Sequence, residues 1–246
     1  MEPPHTPPGS EASAPPPRWR CATYNVQGGL WSPEPGTRHA VVGVLEELDA
    51  DVVALQEVHP PATLDERWSA SEVDRAGYQV VYGPTLEKPR GLYGNALLSR
   101  HPVVAVRRID LSLPGREPRG ALDVTVRREG EELRVIATHL GLRARERCAQ
   151  VARILEHVGP LEGFLVLLGD INEWQPRGTS LRRIEAHFGS APCVRSFPSR
   201  RPIFALDRVW TFPRGALEKI EAHRTALSAV ASDHVPVIAT LARGAG

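Results

Sequence analysis

Three short apolar runs, each closed by a polar residue, limit how this chain can fold. Val52-Val53-Ala54-Leu55 runs into Gln56-Glu57, Val135-Ile136-Ala137-Thr138 into His139, and Phe164-Leu165-Val166-Leu167-Leu168 into Gly169-Asp170. Runs of four or five apolar residues stopped by glycine or polar residues read as short buried strands. Further strands are expected over Trp19 to Val26, Tyr78 to Tyr82, Asn95 to Leu98, Val103 to Ile109, Ala121 to Arg127, Leu133 to His139, Leu206 to Thr211 and Val235 to Leu241. Arg128-Glu129-Gly130-Glu131 carries a hairpin signal between two of them. Helical spacing appears in Arg38 to Leu48, with Thr37 as its cap, in Arg143 to Val158, and in Thr179 to Phe188. Leu217 to Ala229 is open to either reading: its composition suits a helix, and its alternation through Ile220, Ala222 and His223 suits a strand. Many strands, several hairpins and few helices call for two packed sheets with helices outside.

Charge and composition exclude several classes. The chain has 246 residues, with 30 basic and 29 acidic, for a formal net charge of +1. That balance excludes a polybasic nucleic-acid wrapper and an acidic tail protein, but not a local basic site. All the basic residues but Lys88 and Lys219 are arginine. The cysteines Cys21, Cys148 and Cys193 are too few and scattered for a disulfide framework or a zinc site, and are expected as small buried hydrophobes. Seven of the 23 prolines fall in residues 1–17, which read as a disordered, extended leader ahead of one domain over residues 18–243. The longest apolar run has five residues, far short of a membrane span, and no secretory signal is visible. A cytoplasmic protein with no stable membrane insertion and no obligate protein partner is the expectation.

The polar residues suited to catalysis sit at strand ends, namely Asn25, Glu57, Asn95, His139, Asp170 with Asn172, and Asp233-His234, with Asp207 inside Leu206-Asp207-Arg208-Val209. Polar groups at the ends of apolar strands project from a rigid scaffold onto a common rim. Glu57 with Asn25 and Asp233 offers hard oxygen ligands suited to magnesium. Asp170 and Asn172, two apart on a turn, can orient a water and hold a phosphate oxygen. Asp207 can fix the tautomer of His234, whose ring donates to phosphate. Together they describe metal-assisted displacement at phosphorus. Each residue alone has a plainer reading, as a turn former, a loop cap or a satisfied core histidine. The weight lies in six strand ends agreeing, with no serine or cysteine nucleophile elbow among them.

These residues fall in blocks that resemble the endonuclease/exonuclease/phosphatase superfamily. The blocks are Thr23-Tyr24-Asn25-Val26-Gln27-Gly28, Leu55-Gln56-Glu57-Val58, Gly94-Asn95-Ala96-Leu97-Leu98-Ser99-Arg100, Thr138-His139-Leu140, Leu168-Gly169-Asp170-Ile171-Asn172, Leu206-Asp207-Arg208-Val209 and Ser232-Asp233-His234-Val235-Pro236-Val237, in the family's order. The resemblance implies an α/β (α+β) fold: a four-layer α/β/β/α sandwich of two mixed β-sheets flanked by helices. It also favours a strand over the helix for Leu217 to Ala229. By resemblance, Glu57 is the main magnesium ligand, with manganese as a substitute metal. Asn25 is a metal or phosphate contact and Asp233 a second metal-side carboxylate. Asp170 activates the attacking water and Asn172 binds the scissile phosphate. His234 stabilises the developing charge, paired with Asp207, and His139 lies near the leaving group. Asn95 and Arg119 are placed as substrate contacts.

The substrate is a phosphate ester that the blocks do not name, because selectivity in such folds lives in variable loops. The expectation is a magnesium-dependent phosphodiesterase with nuclease-like chemistry. Arg143, Arg145 and Arg147, and Arg200-Arg201, are candidates for contact with a nucleic-acid backbone, against the plain reading of solvated arginines. The alternatives are a phosphomonoesterase, a lipid phosphodiesterase and a catalytically inactive phosphate-binding module.

Overall fold

The computed structural model describes residues 18–29, 35–59, 73, 76–88 and 91–242. The expected leader, 1–17, lies outside them. Eleven strands occur among these residues: β1 (Arg18–Asn25), β2 (Val52–Val58), β3 (Gln79–Lys88), β4 (Gly91–Ser99), β5 (Val103–Asp110), β6 (Gly120–Arg128), β7 (Glu131–His139), β8 (Leu165–Asp170), β9 (Asp207–Phe212), β10 (Leu217–Ala222) and β11 (Val237–Ala242). The helices are α1 (Pro35–Leu48), α2 (Ala144–Val158), α3 (Thr179–Phe188) and the single turn α4 (Ser228–Ala231).

The strands form two mixed sheets, one ordered β10-β11-β1-β2-β4-β3 and the other β5-β6-β7-β8-β9. Each has a parallel pair at its centre, β1–β2 and β7–β8, joined by α1 and α2, and antiparallel neighbours outside it. A parallel pair needs a crossover, and a helix supplies it. The crevice at the carboxyl ends of such strands is where α/β folds take their ligands.

Period-two alternation sorts the core into three apolar layers. Cys21, Val52, Ala54, Leu97, Val135, Ala137, Val166 and Leu168 pack between the sheets. Their chain neighbours Ala22, Val53, Leu55 and Leu98 pack under α1 with Val41, Leu45 and Leu48. Ile136, Leu165 and Leu167 pack under α2 and α3 with Val151, Ile154, Leu181 and Ile184. Three apolar layers separate four layers of secondary structure, the α/β/β/α sandwich. The continuous apolar runs are therefore strands covered on both faces, and Glu129-Gly130, both at positive φ, close the β6–β7 hairpin.

Three expectations change. Helix α1 starts at Pro35, so Thr37 lies inside its first turn rather than capping it; proline fits there because the first amides have no helical acceptor. Leu217 to Ala229 divides, with a strand to Ala222 beside β11 and then the turn α4. Of the cysteines only Cys21 is buried; Cys148 is half-buried on the flank of α2 and Cys193 is exposed in the irregular segment before β9.

Candidate active site

Strand register sets the site before any side chain is considered. His139 pairs with Asp170 across β7–β8, and Asp170 pairs with Asp207 across β8–β9, so three chemical groups stand abreast at one edge of one sheet. Asn25 pairs with Gln56 at the matching edge of the other sheet. Gly169 makes the first alignment possible, because a Cβ there would lie 1.9 Å from the Thr138 carbonyl oxygen, and its φ of +149° suits glycine. The sheets meet where Asn25 Nδ2 donates to Asp170 Oδ2 at 3.1 Å and to Glu57 Oε1 at 3.0 Å. The Asn25 side-chain oxygen accepts from the Gln27 amide at 3.1 Å.

Backbone irregularity aims the remaining groups. The β2–β4 register shifts between Leu55 and Val58, where Gln56 and Glu57 of β2 lie opposite the single residue Asn95 of β4, a bulge that carries Glu57. Five non-glycine residues among those described have positive φ, and three of them, Gln27, Glu57 and Asn172, belong to these loops. Such conformations persist only where the surroundings fix them, and they cluster at functional sites. Asn172 is held by its own amide on Asp170 Oδ1 at 2.9 Å and by its Nδ2 on the Leu140 carbonyl at 2.8 Å. Gln27 Nε2 donates to Asp233 Oδ2 at 3.2 Å, and Ser232 Oγ donates to the Asn25 carbonyl at 2.7 Å, which ties the Asp233 loop to β1.

Asp170 lies between two histidines. His139 Nε2 is 3.6 Å and His234 Nε2 3.8 Å from its Oδ2. His234 Nδ1 bonds Asp207 Oδ2 at 2.8 Å, which also accepts from Ser196 Oγ, and the Phe197 ring packs on the imidazole with centroids 4.8 Å apart. His139 Nδ1 instead faces Arg119 Nη1 at 3.0 Å. Asp170, Asp207, His139, His234, Ser196 and Arg119 are all buried.

Their protonation follows from the partners. Burial pushes the Asp170 carboxyl up and the Asp207 charge adds to this; His234, Asn25 and the Asn172 amide oppose it, and the outcome is about 6. Burial opposes the charge on His234, but Asp207 outweighs it, with help from Asp170 and Asp233, and the imidazolium persists to about 9. Burial, then the Arg119 and His234 charges, hold His139 well below 6.5. Asp170 thus faces one charged and one neutral imidazole. Donor atoms of Asp170, Asp207 and His234 lie within 4.8 Å of one another, close enough to hold a cation. The His234–Asp207 bond already occupies one atom of each, so we read the trio as a hydrogen-bonded set.

The remaining sequence candidates sit further back. Asn95 is buried and donates to the Gly120 carbonyl at 2.9 Å, which also accepts from Thr138 Oγ1 at 3.3 Å. Arg119 is buried beside His139. Arg143, Arg145, Arg200 and Arg201 are exposed, but Arg147 is 2% exposed and is not a surface arginine. Its guanidinium bonds the equally buried Glu173 at 2.9 Å and the Leu142 carbonyl at 2.6 Å, and Glu173 also accepts from Ser180 Oγ at 2.9 Å. This buried pair joins the loop after His139 to the loop after Asn172. Arg147, Glu173 and Ser196 are site-building residues that the sequence did not reveal. Only Glu173 had a pointer, its place directly after Asn172.

Residues 22–234 match the pattern of the endonuclease/exonuclease/phosphatase family. The chain belongs to that family. Family members hydrolyse phosphate esters, and this chain has their fold with an aspartate–histidine site at the sheet edges. It is 32% identical over 184 residues to the protein YbhP of Escherichia coli K12, a match covering 66% of this chain and 72% of YbhP. It is similar to an endonuclease/exonuclease/phosphatase structure from Beutenbergia cavernae, with TM-score 0.69 and 25% identity over 92% of this chain and 72% of that one. The human Nocturnin catalytic domain, solved with bound sulfate, shares the fold at TM-score 0.70 and 19% identity, over 91% of this chain and 93% of that one. Among the described residues no helix is long and apolar enough to cross a membrane.

Proposed function

We propose that the protein is a divalent-metal-dependent phosphodiesterase in which Asp170 accepts the proton of the attacking water. One observation carries this reading: a buried carboxylate held by Asn25 and the Asn172 amide, with its affinity for protons raised to about 6, facing a charged imidazole. A general base works best when its pKa lies near the working pH. His234, charged and fixed by Asp207, stabilises the negative charge that grows on the phosphoryl oxygens, and Asn172 helps hold the phosphate.

The metal belongs to the opposite edge. Glu57 and Asp233 are half-exposed carboxylates, and Asn25 joins Glu57 to Asp170. An all-oxygen donor set with two carboxylates fits magnesium, with manganese as its substitute, and does not fit zinc. Bound there, the cation would polarise and orient the phosphoryl group. For the substrate we favour a nucleic-acid-type phosphodiester, since exposed Arg143, Arg145, Arg200 and Arg201 flank the His139 and Asp207 loops.

A panel of DNA, RNA, an aryl phosphodiester, sphingomyelin and inositol phosphates tests this. Hydrolysis of a diester is expected with magnesium or manganese and is lost with a chelator. Glu57→Gln is expected to keep the fold and weaken magnesium binding by calorimetry. Failure to turn over any ester, or unchanged metal affinity in that variant, contradicts the reading.

A further inference from the structure

We propose that Arg119 is a positioning residue: it fixes the proton of His139 on Nε2, so the ring presents a donor to the reacting centre. The inference rests on the phosphodiesterase reading for its catalytic meaning and on geometry for its substance. A guanidinium donates hydrogen bonds and accepts none. Arg119 Nη1 stands 3.0 Å from His139 Nδ1, so Nδ1 is the acceptor. A neutral imidazole carries one N–H, which is then Nε2–H. Nε2 is the nitrogen aimed at Asp170, at 3.6 Å, too long for that carboxylate to engage it as a hydrogen bond.

The surroundings hold Arg119 to this task. It is 8% exposed, and Glu117 Oε1 receives its guanidinium at 3.2 Å. The next residue, Gly120, accepts from Asn95 Nδ2 at 2.9 Å and from Thr138 Oγ1 at 3.3 Å. Thr138 directly precedes His139, so Asn95 and Thr138 fix the Arg119 backbone relative to the ring it orients. Asn95 and Arg119, both expected from the sequence to touch substrate, are in this proposal supports of His139, Arg119 at its Nδ1 and Asn95 through the Gly120 carbonyl. With Nε2 protonated, His139 donates a hydrogen bond to an oxygen on phosphorus and cannot take a proton from water there, which leaves that role to Asp170.

Two-bond ¹H–¹⁵N correlation spectra of the full chain read the tautomer directly, with His139 assigned through His139→Gln. The expected wild-type spectrum shows a protonated Nε2 and an acceptor Nδ1. Arg119→Met is expected to shift His139 toward Nδ1–H and to lower kcat about 10–100-fold with KM little changed, while Arg119→Lys keeps the Nε2–H form. A wild-type Nδ1–H signal overturns the proposal even if the variants do not fold. An unchanged tautomer in Arg119→Met with a raised KM also overturns it and makes Arg119 a substrate contact. The spectrum needs no turnover, so a wild type inactive on every ester removes the phosphodiesterase reading and leaves the tautomer decided.

Discussion

His139 and His234 approach the same Asp170 oxygen at 3.6 and 3.8 Å, and both are 4% exposed. Burial and distance do not distinguish them; the group behind each ring does. Burial disfavours charge on both rings; behind His234, Asp207 outweighs it and holds the ring charged to about 9, whereas behind His139, Arg119 adds to burial, with the His234 charge, and keeps the ring well below 6.5. In the proposed mechanism one carboxylate works between a cation and a neutral donor, and with both rings buried the residue on each Nδ1 separates the two. Charge on one side, in that mechanism, stabilises the phosphoryl oxygens in the transition state. Neutrality on the other keeps the net charge near Asp170 low, so its carboxylate remains a usable base near neutral pH.

The largest expected effect comes from removing the charged side. His234→Ala is expected to lower kcat about a hundredfold or more, the scale of losing one preorganised donor. Asp207→Asn acts through the ring and should cost less. Equal, small losses from His234→Ala and His139→Gln would erase the distinction between the two sides.

Next is Arg147, which joins the loop after His139 to the loop after Asn172, through the Leu142 carbonyl and Glu173. Both partners are 2% exposed, so Arg147→Met leaves a buried carboxylate unpaired and is expected to cost about 3–5 kcal/mol in denaturant unfolding. Arg147→Met with Glu173→Leu should recover much of that loss.

These residues also show how far the sequence could be read. The sandwich was legible because apolar runs and period-two alternation dictate strands covered on both faces. Asn25, His139 and Asp170 were legible because each ends an expected strand, and Asp207 because it interrupts an apolar segment; register then sets His139, Asp170 and Asp207 abreast in one sheet, with Asn25 in the other. Glu57 was legible as a residue but not in its geometry, because a one-residue bulge leaves no local mark in Leu55-Gln56-Glu57-Val58. Arg147 looked like its neighbours Arg143 and Arg145, and only the turn of α2 separates the buried one from the exposed ones. The Arg119–His139 bond joins residues twenty apart, one just before β6 and the other at the end of β7, and nothing local in Pro118-Arg119-Gly120 announces it.

A smaller effect, set by pH, separates the two sides again. The rate is expected to rise about tenfold per pH unit up to about 6, as Asp170 loses its proton, and to fall above about 9, as His234 loses its own. Stability follows the His234 limb. Its folded-state pKa is raised from 6.5, so the stabilisation from its partners is complete below 6.5 and is lost as pH rises through about 9. Melting temperatures of the wild type should fall across that window more steeply than those of His234→Ala; parallel curves would contradict the charged assignment.

Asp170→Asn, read as a split between kcat and ground-state affinity, tests the central claim most directly. Asparagine keeps the size of the side chain and removes its basicity and charge. If Asp170 is the base between the two histidines, kcat falls by about two to four orders of magnitude. Affinity for the phosphodiester holds or improves, because a negative charge facing phosphate is gone. A proportional loss of binding and turnover would instead make Asp170 a binding or metal-site residue and contradict the mechanism.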